Sequence, residues 1–126
     1  MAIHLDHALV PARDRDNSAK LLAQVLGVPW GPASVGPFAE VYVNEGTTLD
    51  FIQTDEAFPV YHFCFRAEEK EFAAILERLK AAGIPYRSKV DGPADNAVDA
   101  HYGNVYWNLP EGHQWEMLQV SYARRK

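Results

Sequence analysis

Four residues of this chain combine chemical capability with a revealing arrangement: His7, Asp50, His62 and Glu116. Each is embedded in a short apolar run, where a single histidine or carboxylate is ordinarily a satisfied core or edge residue. What sets these four apart is that the chain repeats itself around them. Gly46-Thr47-Thr48-Leu49-Asp50-Phe51-Ile52-Gln53 aligns with Gly112-His113-Gln114-Trp115-Glu116-Met117-Leu118-Gln119 at a constant offset of 66. Glycine matches glycine, glutamine matches glutamine, and a carboxylate sits between large apolar residues in both copies. His7-Ala8-Leu9-Val10 and His62-Phe63-Cys64-Phe65 form a second match at an offset of 55. Imidazole suits Zn, Fe and Ni, and carboxylate neutralises charge and accepts Mn or Mg as well. Two equivalent histidines and two equivalent acids are therefore expected to hold one divalent metal: Zn, Ni, Mn, Co or Fe.

The elements that must position these groups repeat too. Apolar runs over Leu5 to Val10 and Tyr61 to Phe65 read as strands. Asp16 or Asn17 is expected to N-cap a helix over about Ser18 to Leu26, whose Ala19, Leu22, Val25 and Leu26 keep helical spacing. Gly27 suits a left-handed cap and Pro29 stops the helix. In the second half Glu68 and Glu69 favour a helix start, Phe72, Ile75, Leu76 and Leu79 form one stripe, and Gly83-Ile84-Pro85 repeats Gly27-Val28-Pro29. Strands are expected over Phe38 to Asn44, Thr48 to Thr54, Tyr102 to Asn108 and Gln114 to Tyr122, with weaker ones near Trp30 to Val35 and Tyr86 to Val90. The segment between Val90 and Tyr102, rich in Asp, Ala, Gly and Pro, reads as a loop beside a cleft. The layout is α+β: two βαβββ modules, about 1–56 and 57–126, related by a pseudo-twofold axis. Each module places a histidine on its first strand and a carboxylate on its last.

Other residues carry weaker signals. Cys64 lies two residues from His62 and shares its face of a regular strand; His101 sits in the loop; Tyr106 lies on a strand near the cleft. All three are candidates to touch substrate. His4 falls on the opposite face from His7, and His113 occupies a turn position whose repeat partner is Thr47, which marks it as structural. There is no phosphate-binding glycine loop, no paired-cysteine motif and no nucleophile elbow.

Bulk properties narrow the class. With a net charge of −5, the chain has no electrostatic reason to seek nucleic acid or an anionic membrane; its one basic run is Arg124-Arg125-Lys126. A single cysteine rules out an internal disulfide and fits a reducing compartment. The N-terminus lacks the basic and apolar regions of a signal peptide, and no apolar run approaches the roughly 18 residues that span a bilayer. A cytoplasmic location is the expectation.

The segments Leu5-Asp6-His7, Leu49-Asp50-Phe51, Tyr61-His62-Phe63, Val105-Tyr106-Trp107-Asn108 and Trp115-Glu116-Met117 resemble the vicinal oxygen chelate superfamily. That family includes glyoxalase I, bleomycin-resistance proteins, extradiol dioxygenases and fosfomycin-resistance enzymes. The resemblance covers nearly the whole chain and implies the glyoxalase/bleomycin resistance/dioxygenase fold, a curved sheet enclosing a cleft. It implies ligands from the first and last strands of each module, which are again His7, Asp50, His62 and Glu116. Two departures stand out: Leu109 replaces the family's usual Asp before proline, and Asp50 is one methylene shorter than the commoner Glu. The resemblance implies a metal-assisted lyase or isomerase of the glyoxalase or epimerase type. Its metal would chelate a small oxygenated substrate, and Glu116 or Asp50 would act as base in forming an enediolate. If Asp50 fails to reach the ion, His7, His62 and Glu116 form a two-histidine, one-carboxylate face suited to Fe(II) and oxygen, as in extradiol dioxygenases. A third implied reading is a ligand-sequestering, bleomycin-resistance-like protein with Trp30, Phe38, Tyr42, Tyr106 and Trp107 walling a cleft. A homodimer is also implied.

Overall fold

The computed structural model describes residues 2–124; Met1 and the last two residues of the basic C-terminal run lie outside the described residues. The chain divides into two compact units, residues 1–59 and 60–126. Among the described residues no helix is long and apolar enough to cross a membrane.

The first unit runs β1 (His7–Ala12), α1 (Arg15–Leu26), β2 (Trp30–Pro32), β3 (Phe38–Tyr42) and β4 (Thr48–Gln53). Its sheet has the order β1-β4-β3-β2, with β1 parallel to β4 and the other pairs antiparallel. The helix begins earlier than the sequence suggests. Its N-cap is Asp14, whose carboxylate accepts the Asn17 backbone N–H at 3.2 Å. Asp16 instead lies in the first turn, where its charge meets the helix dipole. Gly27 closes the helix in the left-handed conformation, φ 72°, as expected. Strand alternation then sorts the side chains. Val10, Ala12, Ala39, Val41, Leu49 and Phe51 share one face and are buried, as are Ala19, Leu22, Ala23 and Val25 of α1. His7, Glu40, Tyr42 and Asp50 occupy the other face.

The second unit repeats this plan with β5 (His62–Arg66), α2 (Glu69–Ala81), β6 (Tyr86–Arg87), β7 (Val105–Asn108) and β8 (Gln114–Leu118), in the order β5-β8-β7-β6. Here β5 is parallel to β8. Val105, Trp107, Trp115 and Met117 are fully buried on one face. Phe63 and Phe65 stack on Trp115 with ring centroids 4.9 and 5.9 Å apart. Phe72, Ile75 and Leu79 are the buried residues of α2. Leu76, expected in the same stripe, is only half-buried. Glu68 precedes the helix without a side-chain cap bond.

The strand expected to run from Gln114 to Tyr122 ends at Leu118. A 3-10 turn, Tyr122–Arg124, follows instead. Ser121 organises it: its hydroxyl accepts the Ala123 N–H and its carbonyl the Arg124 N–H, each at 3.2 Å. The loop between Val90 and Tyr102 is irregular, as expected, but it is tied down. Asn96 exchanges bonds with the backbone of Tyr86, and the Asp95 carboxylate takes the Ser88 hydroxyl and backbone N–H.

Candidate functional site

The β-ladder gives the two units the same internal geometry. In the first, His7 lies opposite Thr48 and Asp50 opposite Leu9. In the second, His62 lies opposite Gln114 and Glu116 opposite Cys64. Histidine and carboxylate thus sit two residues apart in register on adjacent parallel strands, on the same face, in both units. That face is the one turned from the buried apolar layer in each case.

In the second unit the diagonal closes. His62 Nε2 stands 2.9 Å from Glu116 Oε1. Glu116 is almost fully buried, and a buried carboxylate needs partners for every lone pair it keeps from water. Its other oxygen, Oε2, accepts the Tyr122 hydroxyl at 2.5 Å and the Asn104 amide at 3.1 Å. Asn104 Nδ2 also reaches the hydroxyls of Tyr106 at 2.8 Å and Tyr122 at 2.6 Å. Burial and the adjoining Glu116 raise the Tyr122 hydroxyl well above its ordinary value, so it remains a donor at all working pH. Tyr106 is likewise raised, chiefly by burial.

Cys64 borders the same group. Burial, with Glu116 beside it, pushes its thiol up to about 12, so it is a neutral wall at pH 7 rather than a thiolate. His62, Cys64, Arg66, Glu116 and Tyr122 line a hollow of about 620 Å³. A second hollow of about 450 Å³, lined by Lys89, Asp99, Tyr102, Asn104, Tyr106 and Tyr122, adjoins the loop. His101 stays on that loop, its ring edge-on to Tyr102 at 4.2 Å and its N–H bonded to Asp99.

In the first unit the diagonal stays open. His7 Nδ1 pairs with Asp6 Oδ2 at 2.8 Å, the arrangement that orients a ligating imidazole through its second nitrogen. This contact, reinforced by Asp50 and Glu40, raises the His7 pKa. Asp50 is buried, and its Oδ1 has no hydrogen-bond partner. Burial and the Glu40 carboxylate opposite it raise the Asp50 pKa. Tyr42 donates its hydroxyl to Glu40 at 3.1 Å.

The donor chemistry and spacing of His62 and Glu116 suit two ligands of one metal. With metal–ligand bonds of about 2.1 Å, neighbouring ligands of an octahedral ion lie about 3 Å apart. The His62–Glu116 separation of 2.9 Å matches that edge. The buried, unpartnered Asp50 Oδ1 is also a vacant donor position. Among the described residues no group of three or more His, Cys, Asp or Glu side chains is arranged to hold a metal ion; the His62–Glu116 pair is the close histidine–carboxylate contact on this face.

Three residues escaped the sequence reading. Glu40 shares the face of Asp50, and its repeat partner is Tyr106 at the same offset of 66, so the signal was present. Asn104 alternates with Tyr106 and was legible in the same way. Tyr122 gave no signal, because the strand was read through it. Two of the expected aromatic walls are displaced. Trp107 is fully buried in the apolar layer, on the face away from Glu116. Trp30 pairs with the buried Val41 and shares its face, away from Asp50. Strand parity excludes both from the histidine face. Phe38, Tyr42 and Tyr106 remain on it. His113 is structural, as expected: fully buried, with Nδ1 accepting the Tyr61 N–H at 3.1 Å.

No family model matches the chain, and no curated protein matches it. Solved structures do. The oxidase ChaP-H2 is 31% identical, with a TM-score of 0.88 over 97% of this chain and 97% of its own. A possible glyoxalase from Bacillus cereus is 21% identical, with a TM-score of 0.69 over 93% and 99%. The fosfomycin resistance protein FosX from Listeria monocytogenes, complexed with Mn(II) and 1S,2S-dihydroxypropylphosphonic acid, is 18% identical, with a TM-score of 0.69 over 99% and 96%. The last two share the fold alone. Paired units of identical strand order, each with a histidine and a carboxylate in matching register, together with the 31% identity to ChaP-H2 over nearly the full length, make the chain a member of the vicinal oxygen chelate superfamily.

Proposed function

We propose that the protein is a metal-dependent oxidase acting on a small substrate with neighbouring oxygen atoms, and that His62 and Glu116 are ligands of its Fe(II) ion. The observation that carries the reading is the His62–Glu116 pair, set at the spacing of adjacent metal ligands, with Glu116 held by donors from Asn104 and Tyr122. Imidazole and carboxylate donors suit non-haem Fe(II). The likeness to an oxidase at 31% identity over nearly the full length supports oxidative chemistry. When bound, the ion supplies one-electron chemistry with oxygen and chelates the substrate oxygens. The chain's own residues do the rest. His62 and Glu116 present two donors from rigid strands. Cys64 supplies a neutral, weakly polar wall beside Glu116.

Anaerobic loading with Fe(II), followed by oxygen and a catechol, tests the proposal. Oxygen uptake by the native protein, abolished in His62→Ala, is the expected result. Tight Zn(II) or Ni(II) binding with no oxygen uptake overturns it.

One observation favours a second reading, a lyase or isomerase of the glyoxalase type. The buried Asp50 Oδ1 has no hydrogen-bond partner and can serve as a ligand or as the base that removes a proton beside a carbonyl. In that reading the base is Asp50 rather than Glu116, because both oxygens of Glu116 are already engaged.

A further inference from the structure

Tyr122 holds an unusual position. Its ring is about half exposed, at 47%, so it contributes little to the core, yet its hydroxyl makes a 2.5 Å bond to an almost fully buried carboxylate. An O–H to carboxylate bond of that length belongs to the strong, charge-assisted class. Asn104 reinforces it from the other side. Only its nitrogen can donate to a carboxylate, so the amide orientation is set by Glu116. Together the two donors occupy Oε2 and leave Oε1 as the oxygen beside His62.

We propose that Tyr122, delivered by the C-terminal 3-10 turn, is a positioning residue that with Asn104 clamps Oε2 of Glu116, so that the carboxylate meets a metal through Oε1 alone. This rests on the reading of His62 and Glu116 as ligands. The clamp has two consequences. A carboxylate with one oxygen engaged binds in the monodentate mode and leaves a coordination position for substrate. A carboxylate that cannot rotate also keeps its 2.9 Å spacing to His62 while the ion comes and goes.

The test is Co(II) binding to the whole protein, read by titration and by the visible d–d spectrum, with circular dichroism of the metal-free protein as a fold control. Tyr122→Phe removes one hydroxyl and keeps the ring. Loss of an outer partner of a ligand lowers metal affinity roughly 10–100-fold, so that drop is expected here, with a shifted Co(II) spectrum and an unchanged metal-free fold. Asn104→Ala is expected to change the spectrum in the same direction, and it serves if Tyr122→Phe does not fold. An unchanged affinity and spectrum in Tyr122→Phe, while Glu116→Gln weakens binding, overturns the clamp and leaves the ligand reading standing. Co(II) binding that is also indifferent to Glu116→Gln overturns both.

Discussion

His62 Nε2 and Glu116 Oε1 stand 2.9 Å apart, whereas among the described residues no hydrogen bond joins their counterparts His7 and Asp50. The strand register is the same in both units, so the difference comes from the side chains. Aspartate is one methylene shorter than glutamate, and His7 is drawn to the adjacent Asp6. Asp50 is left facing Glu40 across the β3–β4 ladder.

That asymmetry predicts the behaviour of Asp50→Asn. If Asp50 is not a ligand, the substitution changes metal affinity by less than about tenfold, below the cost of losing even an outer-sphere partner. Isothermal titration with Mn(II) or Co(II) measures this. A fall beyond about 100-fold would make Asp50 a ligand and favour the lyase reading.

Trp115 anchors the second unit. It is fully buried, stacks on Phe63 and Phe65, and donates its indole N–H to Glu111 at 3.0 Å. Trp115→Ala leaves a large cavity between rings that cannot collapse and is expected to cost about 3–5 kcal/mol, measurable as a lowered denaturation midpoint. A loss below about 1 kcal/mol would mean the aromatic layer contributes little.

Asp99 links the loop to acid stability. Its carboxylate accepts the Tyr102 N–H at 2.8 Å, meets the Lys89 ammonium at 3.0 Å and accepts the His101 N–H at 2.7 Å. These contacts hold it at about 2. The folded value lies below the unfolded one of about 3.9, so folding favours the charged form. The contribution is complete above about pH 4 and drains away as pH falls towards about 2. Urea midpoints across that range should fall more steeply for the native chain than for Asp99→Asn. Parallel slopes would remove Asp99 from the account.

How much of this was readable beforehand depends on which residues carry it. Gly27 and Pro29, repeated as Gly83 and Pro85, marked both helix ends, because a left-handed cap and a missing N–H are local requirements. His7, Asp50, His62 and Glu116 were found through the repeat, and strand parity put each on the expected face. The N-cap was misplaced because Asp14, Asp16 and Asn17 are all good caps. Only the path of the chain selects the one whose oxygen reaches the Asn17 N–H. Trp107 was misread because only the register shows that its neighbour Tyr106 lies opposite Glu116, which turns Trp107 to the other face.

The sequence by itself determined the duplicated strand and helix plan, the face of each histidine and acid, and the family. These follow from periodicity and from the chemistry of single residues, which are properties of the chain read in order. Only the tertiary structure decided that Glu116 is gripped by Asn104 and Tyr122 while Asp50 is left with an unpartnered oxygen. A hydrogen bond depends on where two atoms come to rest to within a few tenths of an ångström, and the turn that carries Tyr122 back to Glu116 sets that position after the strand has ended.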